Sequence, residues 1–323
     1  MNRIEKILNE YPFVILDGGF ATELEKKGFN LNDRLWSAKI IAESPEAVID
    51  VHLSYLNAGA DCIITSSYQA TIPGFISAGY SRQEAVDLIA KSVAIANDAI
   101  RIFHESSPDM SKRPQPFIAA SAGCYGAYLA DGSEYRGDYH LDLEEYKNFH
   151  RERVDILADA GAEIIAFETF PSMEEAVAVA ELMDEYRDIQ YWIVFTVKNA
   201  VSTSHGDNFE DCIRLLHGRK NLIAAGINCS SPEFISPILD TIDVEFKKNF
   251  AVYPNSGEHF HTDCSCWEDD PSVSDFSRLA EEWYSKGAAL IGGCCRTGPG
   301  DILKIKNFRD ELINTGFRKR SLV

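Results

Sequence analysis

The chain is poor in positive charge and has no long apolar run. Its 323 residues hold 31 Lys and Arg against 50 Asp and Glu, a formal net charge of −19, and the basic cluster Arg318-Lys319-Arg320 sits near the C-terminus. An acidic balance of this size repels phosphate backbones and anionic lipid surfaces, which argues against nucleic acid or a membrane as partner. No stretch approaches the ~18 uninterrupted apolar residues of a membrane span. The first ten residues carry charge where a signal peptide needs an apolar core, so cytoplasmic residence is expected. Low-complexity tracts are also missing, and 45% apolar with 25% charged residues is the composition of a folded globular chain. The eight cysteines lack the close spacing of a small secreted disulfide framework and are expected to be reduced. Nothing in the sequence sets an oligomeric state.

What is present is a repeated alternation of short β-rich runs with helical patterns. The runs are Val14–Asp17, Cys62–Tyr68, Phe117–Gly123, Ile164–Thr169, Tyr191–Val197, Ile223–Cys229, Phe250–Asn255 and Leu290–Cys295. They are apolar throughout instead of alternating, as expected of parallel strands covered on both faces. Between them lie helix signals: Pro45 after Ser44 at a first helical position, and capping-box patterns at Ser81…Glu84, Asp142…Glu145 and Ser172…Glu175. Ile89, Val93, Ala96, Ile100 and Phe103 recur every three or four residues, giving one apolar face. Ala58-Gly59-Ala60, Ala160-Gly161-Ala162 and Lys286-Gly287-Ala288 each end a helical pattern just before a strand, where glycine suits a left-handed C-cap. Eight such units without a linker predict an α/β fold, a (β/α)8 TIM barrel in one domain over residues 1–323. A doubly wound sheet would prefer a G-x-G-x-x-G loop after the first strand, and Asp17-Gly18-Gly19-Phe20 is not one.

In a barrel the chemistry sits at the C-terminal ends of the strands. Cys229 closes the sixth run and Cys294-Cys295 the eighth, so residues 65 apart in sequence would face one mouth with Asp17, Tyr68, Gln69 and Glu168. Three thiolates leave one position of a tetrahedral zinc open for substrate. The competing reading is that buried cysteines behave as small hydrophobes. Adjacent cysteines after Gly292-Gly293 fit ligation better, because glycine lets the backbone turn both thiols toward one point.

With these residues in hand, the chain resembles the zinc-dependent homocysteine S-methyltransferases over nearly its full length. The matching motifs are Leu16-Asp17-Gly18-Gly19 with Ala21-Thr22-Glu23-Leu24, Leu35-Trp36-Ser37-Ala38, Ser67-Tyr68-Gln69-Ala70, Phe167-Glu168-Thr169, Gly226-Ile227-Asn228-Cys229 and Gly292-Gly293-Cys294-Cys295-Arg296. The segments from Ala130 to Tyr139 and from Val252 to Glu258 resemble the branch that uses S-methylmethionine more than the betaine-using one. Two departures are Cys124, where relatives usually carry proline, and Cys264-Ser265-Cys266, a candidate source of a fourth thiolate.

The resemblance implies one zinc ion per chain on Cys229, Cys294 and Cys295, with homocysteine and a sulfonium methyl donor as partners. It assigns Asp17 and Glu168 to the homocysteine amino group, where two carboxylates suit a charge-assisted clamp on an ammonium. The backbone amides around Gly18, Gly19 and Phe20 are candidates for the substrate carboxylate, or simply a tight turn. Trp36 is either a cation–π platform for the sulfonium or a packing aromatic. Asn228 is expected to orient the site from beside a ligand. Arg136 and Arg296 pair either with a substrate carboxylate or with surface acids. S-adenosylmethionine is a possible poorer donor. The alternatives are a betaine-dependent transferase and a barrel that binds zinc or thiols without catalysis.

Overall fold

Among the described residues of the computed structural model ten strands form: β1 (Val14–Ile15), β2 (Cys62–Ile64), β3 (Phe117–Gly123), β4 (Ile164–Phe170), β5 (Gln190–Phe195), β6 (Leu222–Asn228), β7 (Phe250–Tyr253), β8 (His259–His261), β9 (Cys266–Glu268) and β10 (Ala288–Ile291). The structure describes residues 1–31, 35–247, 249–257, 259–261, 266–268 and 275–316; of residues 36, 246, 259–261 and 266–268 only the backbone is described. Eight strands make one parallel sheet in the order β1-β10-β7-β6-β5-β4-β3-β2. A parallel bridge from Leu16 to Cys62, with the Asp61 amide donating to the Ile15 carbonyl at 2.8 Å, joins β2 back to β1 and closes the barrel. The fold is therefore the single-domain (β/α)8 barrel expected from the alternation.

A helix follows each barrel strand: Pro45–Ala58, Arg82–Glu105, Leu143–Asp159, Met173–Met183, Phe209–Leu216, Ile235–Thr241, Phe276–Lys286 and Pro299–Asn314. Strand residues alternate between two cores, which is why the runs read as continuously apolar. Ile15, Ile63, Ile165, Phe167, Ile193 and Val252 pack outward under the helices. Val14, Leu16, Cys62, Phe117, Ala119, Ile164, Ala166, Trp192, Val194, Ala251 and Leu290 point inward. Small Ala119, Ala166 and Ala251 make room for Trp192, giving the layered filling of a barrel interior. The first helix, Arg3–Leu8, turns Ile4 and Ile7 onto this inner core near the strand starts and leaves the opposite mouth open.

Local signals hold in most places. Ser81 and Asp142 form reciprocal capping boxes with Glu84 and Glu145. Gly59, Gly161 and Gly287 adopt φ of 112°, 94° and 116°, the left-handed conformation expected at these helix ends. Ser172 forms no capping box, because Glu175 is fully buried and bonded elsewhere. The eighth barrel strand stops at Ile291, short of the expected Cys295, since Gly292 and Gly293 turn the chain. The β8–β9 antiparallel pairing was not foreseen. Cys264 and the tail cluster Arg318-Lys319-Arg320 lie outside the described residues, as does the Cys266 side chain. No described helix is long and apolar enough to cross a membrane.

A buried ion pair locks the closure point. Asp61 accepts from the Ile15 amide at 2.9 Å and from both terminal nitrogens of Arg309, which also donates to the Phe13 carbonyl at 3.3 Å. Both side chains are wholly buried. The pair thus ties β1, the start of β2 and the last helix at one point. Removing one partner of such a pair strands a charge in the core and costs about 3–5 kcal/mol. Asp61→Ala is expected to lose that amount in urea unfolding, and Asp61→Ala with Arg309→Met less than the sum of the two single changes. A loss under about 1 kcal/mol in Asp61→Ala would contradict this role.

Candidate active site

Hydrogen bonds between strand ends bring the cysteines together. The Cys229 amide donates to the Tyr253 carbonyl at 3.2 Å, fixing the end of β6 against β7. After β10, Gly293 donates to the Asp17 carbonyl (3.0 Å), Cys294 to that of Pro254 (2.7 Å), and Ser256 to that of Cys295 (3.1 Å). Gly19 donates in turn to the Thr297 carbonyl at 3.0 Å. A Cβ on Gly19 would lie 2.6 Å from the Cys294 carbonyl oxygen, so only glycine permits this approach. The result is three sulfurs within 4.8 Å of one another, Cys229 and Cys295 at 3.5 Å. Hydrogen bonds from Cys229 and Cys294 hold the Cys295 thiol well below its ordinary range, while giving those bonds pushes Cys294 up.

Backbone strain surrounds the sulfurs. Thr169, Cys229 and Arg296 have φ of 64°, 47° and 66°, unusual for residues with side chains and held only where neighbours over-determine them. For Thr169 the restraint is visible. Asn228 accepts from the Thr169 amide at 2.9 Å and donates to its hydroxyl at 3.0 Å, fixing the residue that follows Glu168.

The sulfurs open onto a cavity of about 1010 Å³. Asp17, Gly18, Gly19, Tyr68, Gln69, Glu168 and Asn228 line it with the three cysteines. Trp36 lies in a short 3-10 helix, Trp36–Lys39, and its side chain is outside what is described. Asp17 accepts from the Ile64 amide at 2.8 Å, and burial pushes its carboxyl well above the usual range. Glu168 accepts from Ser121 Oγ at 2.5 Å and from the Tyr253 hydroxyl, which itself accepts from Trp192 Nε1 at 3.1 Å. Burial outweighs these bonds and lifts Glu168 to about 7. Gln69 donates to the Ala127 carbonyl at 2.9 Å. Of the three amides considered for a substrate carboxylate, that of Gly19 is committed to Thr297. Arg136 is an exposed surface pair, bonded to Asp138 at 2.9 Å, and the Arg296 amide donates to Thr22.

Sequence reading gave no role to the side chains of Glu134 and Tyr135, yet both line the cavity, and the Tyr135 hydroxyl lies 3.2 Å from Cys229 Sγ. Their loop is anchored from outside the barrel. Glu175 accepts from the Tyr125 amide and the Tyr139 hydroxyl, both at 2.6 Å, and from His150 Nε2 at 2.8 Å. Burial keeps His150 neutral, and its Nδ1 accepts from Arg153 at 2.9 Å. The acidic segment around Glu134 was the available sequence signal, but its direction depends on this network.

The profile of the homocysteine S-methyltransferase family matches residues 14–308. The chain belongs to that family. It is 44% identical over 315 residues to homocysteine S-methyltransferase YbgG of Bacillus subtilis (strain 168), covering 98% of this chain and 100% of the relative. It is 45% identical to the selenocysteine Se-methyltransferase of Brassica oleracea var. italica, covering 91% and 88%. The structure is similar to the metallated form of the homocysteine methyltransferase MmuM from Escherichia coli, with a TM-score of 0.84, 40% identity and coverage of 95% and 99%.

The raised Glu168 carboxyl has a thermodynamic consequence. Its folded value near 7 exceeds the ordinary 4.5, so between these the folded chain keeps a proton that the unfolded chain has lost. Stability from this group is present below about pH 4.5 and lost as pH rises through 7, a change of about 3 kcal/mol. In metal-free protein, Glu168→Gln is expected to remove that part of the decline between pH 5 and 8 in urea unfolding. Identical pH slopes for wild type and variant would show that the carboxyl is not held in this way.

Proposed function

We propose that this chain transfers a methyl group from S-methylmethionine to the sulfur of homocysteine, forming methionine, with one zinc ion held by Cys229, Cys294 and Cys295. The observation that carries the reading is the meeting of three thiols with a carboxylate-lined cavity at the barrel mouth. The donor set fits the ion, since soft thiolates at mutual distances under 4.8 Å suit tetrahedral zinc with one position left for substrate. When bound, zinc supplies the positive charge that keeps a coordinated thiol deprotonated at neutral pH, where a free thiol is mostly protonated. A single homocysteine-binding domain over residues 1–323 is part of the reading. So is residence in the cytoplasm, whose reducing conditions suit three free thiols in close contact.

In this reading the protein's own groups bind and align. Asp17 and Glu168 take the homocysteine ammonium, whose charge favours the ionised carboxylates that burial disfavours. Asn228 keeps Glu168 directed inward through its two bonds to Thr169. Tyr68 and Gln69 bound the substrate from the end of β2. A sulfonium donor departs as a neutral thioether, so no residue is required as general acid and the step depends on positioning. No Lys, Arg or His is among the described lining residues, and Asp17, Glu25, Asp131, Glu134 and Glu168 are, a charge distribution that favours a cationic donor. The names of the relatives support homocysteine as acceptor.

Methionine formation at fixed homocysteine is expected to be fastest with S-methylmethionine and slower with S-adenosylmethionine. Turnover with betaine alone would overturn the donor. Cys229→Ala, Cys294→Ala and Cys295→Ala are each expected to drop zinc from one per chain toward zero and methyl transfer to background. Cys62→Ala in the barrel core and Cys212→Ala in a helix should keep both. Full zinc and turnover in Cys294→Ala would displace the ligand assignment.

A further inference from the structure

Among the described residues Glu134 makes no salt bridge. It follows β3 in the loop that carries Tyr135 to Cys229, and its carbonyl accepts from Thr196 Oγ1 at 3.1 Å, pinning the residue over the end of β5. Its Oε2 is buried and has no hydrogen-bond partner. The described cation whose field reaches Glu134 is Arg136, but that guanidinium is engaged elsewhere, donating to Asp138 at 2.9 Å, the Asp131 carbonyl at 2.9 Å and Ser133 Oγ at 3.1 Å. No described salt bridge includes Glu134, and no basic side chain is among the described lining residues of its cavity. A buried carboxylate left this way is costly, so a ligand that supplies a positive charge is strongly favoured there.

The surroundings define the kind of cation. Cys229, Tyr68 and Tyr135 are close enough to Glu134 for their charges to be felt, and both aromatic rings line the cavity beside it. Aromatic faces with a carboxylate suit an onium centre bearing methyl groups, which offers no N–H for directed hydrogen bonds and is held by field and ring faces. A primary ammonium instead wants directed acceptors, and Asp17 and Glu168 provide them across strands β1 to β4. Two anionic stations therefore share one cavity with the sulfur cluster.

We propose that Glu134 is the anionic recognition residue for the methyl donor, its carboxylate facing the donor's onium centre while Asp17 and Glu168 hold the amino acid that accepts the methyl group. The proposal rests on the methyl-transfer reading above and adds a residue that positions the second substrate. The acidic segment from Ala130 to Tyr139 thereby gains a role: its bonds direct one carboxylate inward and occupy the neighbouring arginine outside. Binding of donor brings a positive charge to a buried carboxyl whose Oε2 has no hydrogen-bond partner among the described residues.

The test uses zinc-loaded, homocysteine-saturated protein titrated by calorimetry with two unreactive donor analogues, one with a quaternary nitrogen in place of the sulfonium sulfur and one with an uncharged quaternary carbon. Wild type is expected to bind the cation at least about tenfold more tightly than its neutral isostere. In Glu134→Gln this ratio should fall toward one, with homocysteine affinity and zinc content unchanged, and Glu134→Asp should restore part of it. A ratio preserved in Glu134→Gln overturns the proposal, as does a wild type that fails to prefer the cation. Absence of methyl transfer by wild type from sulfonium donors would instead defeat the functional reading, and the binding ratio would still decide the role of Glu134.

Discussion

Gly293 donates to Asp17, Cys294 to Pro254, and Ser256 to Cys295, so the turn that bears two of the three thiols is gripped by the loops on either side of it. The third thiol reaches the same point because the Cys229 amide is bonded to Tyr253, on the strand between. These are backbone bonds between neighbours in the sheet: Asp17 and Cys294 lie just past the ends of β1 and β10, which pair, and Pro254 lies just past the end of β7, which pairs with β10 and β6. The Asp61–Arg309 pair fixes β1, against which the sulfur-bearing turn is bonded through Asp17. Positive φ at Thr169, Cys229 and Arg296 shows where the backbone yields to that geometry.

Charge in the cavity opposes folding and favours binding. Glu134 and Glu168 are each raised to about 7 by burial, and burial also raises Asp17, with no basic side chain among the described lining residues. The same desolvation strengthens any interaction with a cation that enters. In the proposed reaction, where homocysteine meets a cationic donor, that arrangement acts twice, once on the ammonium and once on the sulfonium. The protein gives up intrinsic stability at neutral pH for a cavity whose carboxyls ionise as a cation enters.

Much of this was readable from the chain. Strand runs, the left-handed glycines at 59, 161 and 287, and the three cysteines at strand ends report local demands that a residue type satisfies alone. Ser172…Glu175 has the same local pattern as Ser81…Glu84, yet Glu175 is taken by Tyr125, Tyr139 and His150, partners up to 50 residues distant. Asp61 and Arg309 are separated by 248 residues, and no periodicity links them. Tyr135 and Glu134 escaped for a related reason. Their loop has no repeating pattern, and its direction is set by bonds to Thr196 and to the Glu175 network, which exist only after folding.

The central claim is that the cysteine trio holds a zinc ion with one position kept for the acceptor thiol. X-ray absorption of the zinc-loaded protein, recorded before and after homocysteine with proton release followed in weak buffer, tests it most directly. The account predicts three sulfurs and one lighter atom at first, then four sulfurs at about 2.3 Å with release of a proton. Four sulfurs before homocysteine, with neither a spectral change nor a proton afterwards, would contradict it.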